Sequence, residues 1–332
     1  MDVAYWLPVA WFAVIAFGVF MYVVLDGFVL GLGILAPLAR DDAQLDAMMN
    51  TAAPIWDGNE TWLVLGGAGL LAAFPAAYAT LLPALYLPVL LMLIALVFRG
   101  VAFEFRFKAT RTRWIWGWAF AAGSICAAFW QGVILGALVR GLPVGGGAWA
   151  WLDPFALLTG VALMAGYALL GATWLILKTT AGVQVQARRL ARPLVLAVAG
   201  FMAVVSICLP FLDSRVMARW FAGNNFWWLS PVPVLVAVNV WLLWKAAAHP
   251  RRDAHPFLLA LALFALGYAG LLLGLWPWLV PPSLTLWQAA APPSSQGFML
   301  VGVACLLPLI LGYTAWSWYV FRGKLQPGQG YH

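Results

Sequence analysis

Five ionisable side chains sit within or at the ends of long apolar runs in the first third of this sequence: Asp26, Asp57, Glu60, Arg99 and Glu104. A charged group at the centre of a membrane helix costs about +2.5 to +3.5 kcal/mol on insertion scales, so those that remain serve function or packing. Asp57 and Glu60 are three residues apart, which places them on one side of a helix. At 1.5 Å of rise per residue, Asp26 lies about 15 Å in from the end of its run, and Asp57 and Glu60 lie about 5 and 10 Å in from the start of theirs. If the first two helices pack as neighbours, the three carboxylates form a ladder rising from one membrane face. With Asn59 and Thr61 nearby, these are the residue types of a proton relay, because carboxyl groups at graded depths can take up and pass on protons. The alternative is that they bond to backbone and neighbouring side chains and hold the helices in register; for Glu60 the two readings are level. Glu104 precedes Lys108 by four residues, the favourable order for a helical ion pair. Arg99 is expected either to snorkel or to pair with an acid. Both Arg99 and Glu104 are read as structural or interface charges.

Other chemistries are poorly served. His249 and His255 fall in one polar connection and His332 is the last residue, so no apolar run contains a histidine. Intramembrane haem usually takes axial histidine. Met21, Met92, Met164 and Met202 lie in apolar runs but read as packing, so the chain is expected to bind no haem. Cys126, Cys208 and Cys305 stand singly in separate runs and read as small core residues. No His/Asp/Glu cluster with metal spacing, phosphate-binding glycine loop or nucleophile–base pair is apparent. Gly27, Gly31, Gly33, Gly66, Gly67 and Gly69 are expected to allow close helix packing.

The elements that must position these acids follow from composition. Of 332 residues 65% are hydrophobic and 9% charged, with a mean hydropathy of +0.93, far from the usual soluble domain. The apolar residues come in helix-length runs, about 20 being needed to cross a bilayer, and not as the alternating segments of about ten that mark a transmembrane barrel. The fold class is therefore an all-α integral membrane protein. Runs are read at about 6–36, 54–74, 79–104, 114–138, 154–178, 193–213, 229–247, 256–275 and 297–320, nine in one transmembrane domain. Eight is the alternative if Pro75 and Pro83 do not bracket a true turn. No Lys or Arg precedes the first run, so a cleaved signal is not expected.

Charge placement orients the chain. Of the 18 Lys and Arg, only Arg140, Arg215 and Arg219 fall on one face; the rest, from Arg40 to Lys324, fall on the other. The positive-inside rule makes the second face cytoplasmic, with the N-terminus outside and the C-terminus inside, and this requires an odd number of crossings. The net charge of +7 thus reflects orientation and contact with anionic lipid, and no nucleic-acid partner is expected. Most of the 21 Trp, including Trp114, Trp116, Trp118, Trp227, Trp228, Trp276, Trp278, Trp316 and Trp318, lie near run ends and read as interfacial anchors.

At these same residues the chain resembles subunit II of cytochrome bd-type quinol oxidases. Asp26-Gly27-Phe28-Val29-Leu30-Gly31-Leu32-Gly33 is close to the family's DGFDLGxG. Ala53-Pro54-Ile55-Trp56-Asp57-Gly58-Asn59-Glu60-Thr61-Trp62-Leu63 carries its WDGNE, and Phe98-Arg99-Gly100-Val101-Ala102-Phe103-Glu104-Phe105-Arg106 is similar to its FRxVxFEFR. Ser283-Leu284-Thr285-Leu286-Trp287, Ser294-Ser295-Gln296 and Tyr313-Thr314-Ala315-Trp316-Ser317 match its C-terminal patterns, so the likeness runs from about residue 22 to 321. One departure is Val29, where many members have a second acid; it fits the cyanide-insensitive branch better.

The resemblance implies a two-subunit terminal oxidase of the bacterial inner membrane that oxidises quinol and reduces oxygen to water. Haems b and d and the quinol-oxidising loop would belong to the partner, subunit I, through which the quinol pool is reached; a small accessory subunit is a further candidate partner. Subunit II would form two four-helix bundles plus a peripheral helix, stabilise haem assembly and help conduct cytoplasmic protons. Asp57 would stand near the cytoplasmic entrance and Asp26 deeper, at the contact with subunit I. The rival expectation is a proton-coupled secondary transporter using the same acids. Against it, no paired broken helices are seen in two matching halves.

Overall fold

The computed structural model describes residues 3–142, 147–212 and 214–325. His332, Met1 and Asp2, and Asp213 at the end of the expected 193–213 run, lie outside them. The order is α1 (Val3–Leu35), α2 (Asp42–Asn50), α3 (Trp56–Ala73), α4 (Pro75–Ala84), α5 (Tyr86–Arg106), α6 (Arg113–Arg140), α7 (Pro154–Lys178), α8 (Ala181–Leu212), α9 (Ser214–Phe221), α10 (Asn225–Leu229), α11 (Pro231–Ala248), α12 (Ala254–Leu275), strands β1 (Trp278–Val280) and β2 (Leu284–Thr285), and α13 (Pro293–Val320). Among the described residues, eight helices are long and apolar enough to cross a membrane; the pair α3 and α4, bent by 120°, passes only when taken together.

Local chemistry explains the breaks. Phe74 precedes a proline, which disfavours helical geometry, and it adopts φ −135°, ψ 61° at the sharp bend between α3 and α4. Pro88 cannot donate to the Ala84 carbonyl, and the chain breaks at Leu85 before α5 begins. The expected single run over 79–104 is thus part of α4 followed by α5, and Pro75 and Pro83 bracket most of a short helix. The connection expected over 179–192 is largely helical as well. Ala187, Ala191, Val195 and Val198 form a buried stripe with helical spacing, so α8 starts at Ala181, a dozen residues ahead of its apolar run. The Asp41 side chain accepts from the Gln44 amide at 2.8 Å to cap α2, and Asp153 caps α7 ahead of Pro154 through the Phe155 amide at 2.9 Å.

Helix α1 is the hub, packing on α3, α6 and α7; α5 pairs with α6, and α7 also contacts α8 and α12, which pack with α11. The α1–α7 crossing depends on glycine at both sides. A Cβ on Gly31 would collide with the Tyr167 carbonyl, and one on Gly171 would lie 2.5 Å from the Gly31 carbonyl carbon. Phe28 stacks on Trp174 with ring centroids 4.1 Å apart, and the Trp174 indole N–H donates to Thr51 Oγ1 at 3.0 Å. Trp62 and Trp174 are therefore core residues, whereas Trp114, Trp118, Trp227, Trp228 and Trp316 are exposed. Helix α13 touches α1 and α3 lightly, and Gln296 is its one buried residue among those described. Gln296 Nε2 donates to the Ala73 carbonyl at 2.8 Å, closing the end of the bundle opposite the basic connections.

Candidate functional site

Three helices converge on a buried guanidinium. Arg99 in α5 and Asp26 in α1 are wholly buried, and Arg99 Nη2 lies 3.0 Å from Asp26 Oδ2. The same nitrogen lies 2.6 Å from Oε1 of Glu60 in α3, whose side chain is 32% exposed. One cation thus serves two carboxylates. Three further buried atoms of the cluster, Asp26 Oδ1 and Arg99 Nε and Nη1, have no hydrogen-bond partner among the described residues. The Trp56 ring lies 5.7 Å from the guanidinium carbon. Asn59, on the same turn as Glu60, donates Nδ2 to the Leu25 carbonyl at 2.8 Å. That bond ties α3 to α1 beside Asp26 and holds the two acids in register.

Asp57 is placed differently. It occupies the first turn of α3 on the exposed side, and it forms no ion pair among the described residues. Glu104 and Lys108 pair at 3.3 Å on the surface, away from the buried cluster. Of the five charges singled out by sequence, three meet and two stay outside. Arg99 does not snorkel; it is enclosed. Asp26 is enclosed within this chain, where α3 and α5 close over it through Arg99. Of the three relay candidates, Asp57 reaches the surface and Glu60 does so in part.

The family whose description is cytochrome bd terminal oxidase subunit II matches residues 7–321. The chain belongs to that family. Cytochrome bd ubiquinol oxidase subunit 2 of Bacillus subtilis is 29% identical over 331 residues, covering 95% of this chain and 96% of that one. Cytochrome bd-I ubiquinol oxidase subunit 2 of Escherichia coli K12 is 28% identical over 356 residues, covering 95% and 94%. The structure of bd oxidase from Geobacillus thermodenitrificans superposes with a TM-score of 0.76 at 17% identity, over 95% of this chain and 98% of that one, which establishes a common fold. Val29 is fully buried in the apolar core.

Sequence reading of this subunit II chain missed several polar partners. Tyr22, one turn before Asp26 on α1, accepts from Gln131 Nε2 of α6 at 2.8 Å, and the Tyr167 hydroxyl of α7 donates to Gln131 Oε1 at 2.8 Å. With its oxygen engaged as acceptor, the Tyr22 hydroxyl keeps its own proton for the side of Asp26. A glutamine inside an otherwise apolar run was the available signal. Arg106, counted by sequence as a loop cation, is buried. It donates to Asp46 at 3.1 Å, Asp42 at 2.8 Å and the Arg113 carbonyl at 3.0 Å, pinning α2 beneath α5 and α6. The hydrogen bond from Arg106 holds the Asp42 carboxyl below the usual carboxylate range. Among the described residues no group of three or more His, Cys, Asp or Glu could hold a metal ion.

Proposed function

We propose that this chain acts as the haem-free subunit II of a quinol:oxygen oxidoreductase in the bacterial cytoplasmic membrane, scaffolding a haem-bearing subunit I and delivering cytoplasmic protons toward it. In this reading the chain crosses nine times as two four-helix bundles plus the peripheral α13, with its N-terminus outside, and the α3–α4 pair supplies the ninth crossing. Haems b and d and the contact with quinol belong to subunit I.

The observation that carries the proton role is the graded burial of three acids around one shared cation. Asp57 is exposed at the start of α3, Glu60 is one third exposed, and Asp26 is enclosed behind Arg99. Two carboxylates facing one guanidinium leave one negative charge unbalanced in a low-dielectric setting, and a single proton on either acid neutralises it. Glu60 is the last acid that this chain can present to a partner beyond α3. Asp26 works from behind, holding Arg99 and through it the position of Glu60.

The test is Asp57→Asn and Glu60→Gln in the assembled oxidase, with oxygen consumption driven by quinol and haem absorbance recorded together. Loss of a positioned proton donor typically lowers rate by about 10²-fold or more, so turnover should fall at least tenfold while the haem spectrum stays intact. Unchanged turnover in both variants would reject the proton role, and loss of the haems would make the residues structural. Purification distinguishes the transporter reading: an oxidase subunit emerges with haem absorbance and a second membrane chain.

A further inference from the structure

At the basic end of the bundle five cations have acids of their own. Arg106 and Arg113 engage Asp42 and Asp46, Lys108 engages Glu104, and Arg188 and Lys324 converge on Asp253. The ends of α8 and α11 differ. Arg189, Arg192, Lys245, Arg251 and Arg252 form no ion pair among the described residues, and Asp253, the acid of this region, is already taken twice.

Three of these cations belong to one place. The Arg192 guanidinium lies 4.0 Å from the Trp244 ring centroid, and Lys245 Nζ lies 3.7 Å from that of Trp241. Trp241 and Trp244 are three residues apart on α11, so the two indoles, and the cations over them, are neighbours on one side of the α8–α11 pair. Arg189 stands one turn before Arg192 on the same face of α8. Arg192 Nε is buried with no hydrogen-bond partner among the described residues. Immediately toward the membrane centre the surface turns apolar: Leu196 is 60% exposed, Trp241 51% and Val238 48%.

We propose that Arg189, Arg192 and Lys245 form a binding site for the phosphate of an anionic glycerophospholipid whose acyl chains lie along Leu196 and Val238. The chemistry favours a lipid over a soluble polyanion. The cations are held flat on indoles at the boundary between polar helix ends and exposed alkyl surface, where a headgroup phosphate meets its chains, and they lack counterions from the protein. The inference is independent of the proton role and uses none of its residues.

The experiment is native mass spectrometry of the purified, delipidated oxidase titrated separately with phosphatidylglycerol, phosphatidylcholine and inorganic phosphate. Phosphatidylglycerol should be retained in preference to phosphatidylcholine. Each cation near a membrane surface contributes about 1 kcal/mol, so Arg192→Gln with Lys245→Gln should reduce that preference about fivefold per charge removed, with haem absorbance unchanged as the control for folding. Arg192→Lys, which retains the charge, should keep most of it. Equal retention of the two lipids, or a preference that survives the double substitution, would overturn the proposal. So would displacement of the lipid by millimolar phosphate, which would make this a free-anion site, or loss from the double variant of a small co-purifying protein, which would give the face to a polypeptide.

Discussion

Replacing Arg99 with glutamine removes the cation that Asp26 and Glu60 share, and the structure sets the size of the effect. Arg99 and Asp26 are both fully buried at 3.0 Å, a pair whose attraction is about 5.5 kcal/mol at an effective dielectric of about 20. Removing one partner of such a pair typically costs about 3–5 kcal/mol, because the other charge is left uncompensated. The contact to Glu60 adds less, about 1 kcal/mol, since that side chain is 32% exposed and reached by solvent screening. Arg99→Gln should therefore destabilise subunit II by about 3–5 kcal/mol. Adding Asp26→Asn to the same chain removes the stranded charge and lets two amides bond to each other. The double variant should then be more stable than Arg99→Gln alone, with a coupling energy of about 2–3 kcal/mol, within the range for residues of one network. The assay is sodium dodecyl sulfate-driven unfolding of the assembled oxidase in mixed micelles, followed by tryptophan fluorescence and haem absorbance, for wild type, both singles and the double. Additivity of the two single effects would refute the reasoning, since it would mean that the ion pair is not the source of the loss.

Gly31→Ala places a methyl group against the Tyr167 carbonyl, where the backbones of α1 and α7 cannot yield, so assembly should fail; overpacking usually costs about 1–3 kcal/mol and more at a rigid site, and the recovered haem per unit of membrane protein measures it. Gln131→Leu leaves the Tyr22 and Tyr167 hydroxyls without their partner, a loss of about 1–3 kcal/mol per stranded group, and adding Tyr167→Phe should recover part of it in the same unfolding assay. The C-terminal clasp gives a pH dependence. Burial pushes the Asp253 carboxyl up, but the Lys324 ammonium at 2.5 Å and the neighbouring Arg188 outweigh it and hold that carboxyl below the usual range. The stability it lends is thus present above the unfolded carboxylate pKa of about 3.9 and is lost as pH falls through the lower folded value. Leu325, whose amide donates to the Lys178 carbonyl at 2.8 Å, should exchange its amide hydrogen readily at pH 7 in Asp253→Asn; protection equal to wild type, read by pulsed exchange and mass spectrometry, would show that the clasp does not hold the tail.

The membrane character, most helix cores and the charges set within apolar runs were open to reading in the primary structure, because each depends on a local quantity. Hydropathy summed over about 20 residues reports the cost of leaving water, and a charge in such a run is conspicuous wherever it later points. Phe74 before Pro75 marked a break in the same local way. Beyond this the chain needed its neighbours. Asp26 and Asp57 look alike as carboxylates in motif-bearing runs, yet one is enclosed against Arg99 and the other faces outward. The difference lies in the rotation of α1, α3 and α5 about their axes, which is set by the glycine contact of α1 with α7 and by the Asn59 bond to Leu25. Arg106 read as a loop cation because its burial comes from α2 folding back beneath it, contacts 60 and 64 residues distant in the chain. Helix type and membrane residence follow from short-range free energies of transfer, whereas which charges share a cavity is a matter of long-range packing, and so the tertiary structure alone joined Asp26, Arg99 and Glu60 into one site.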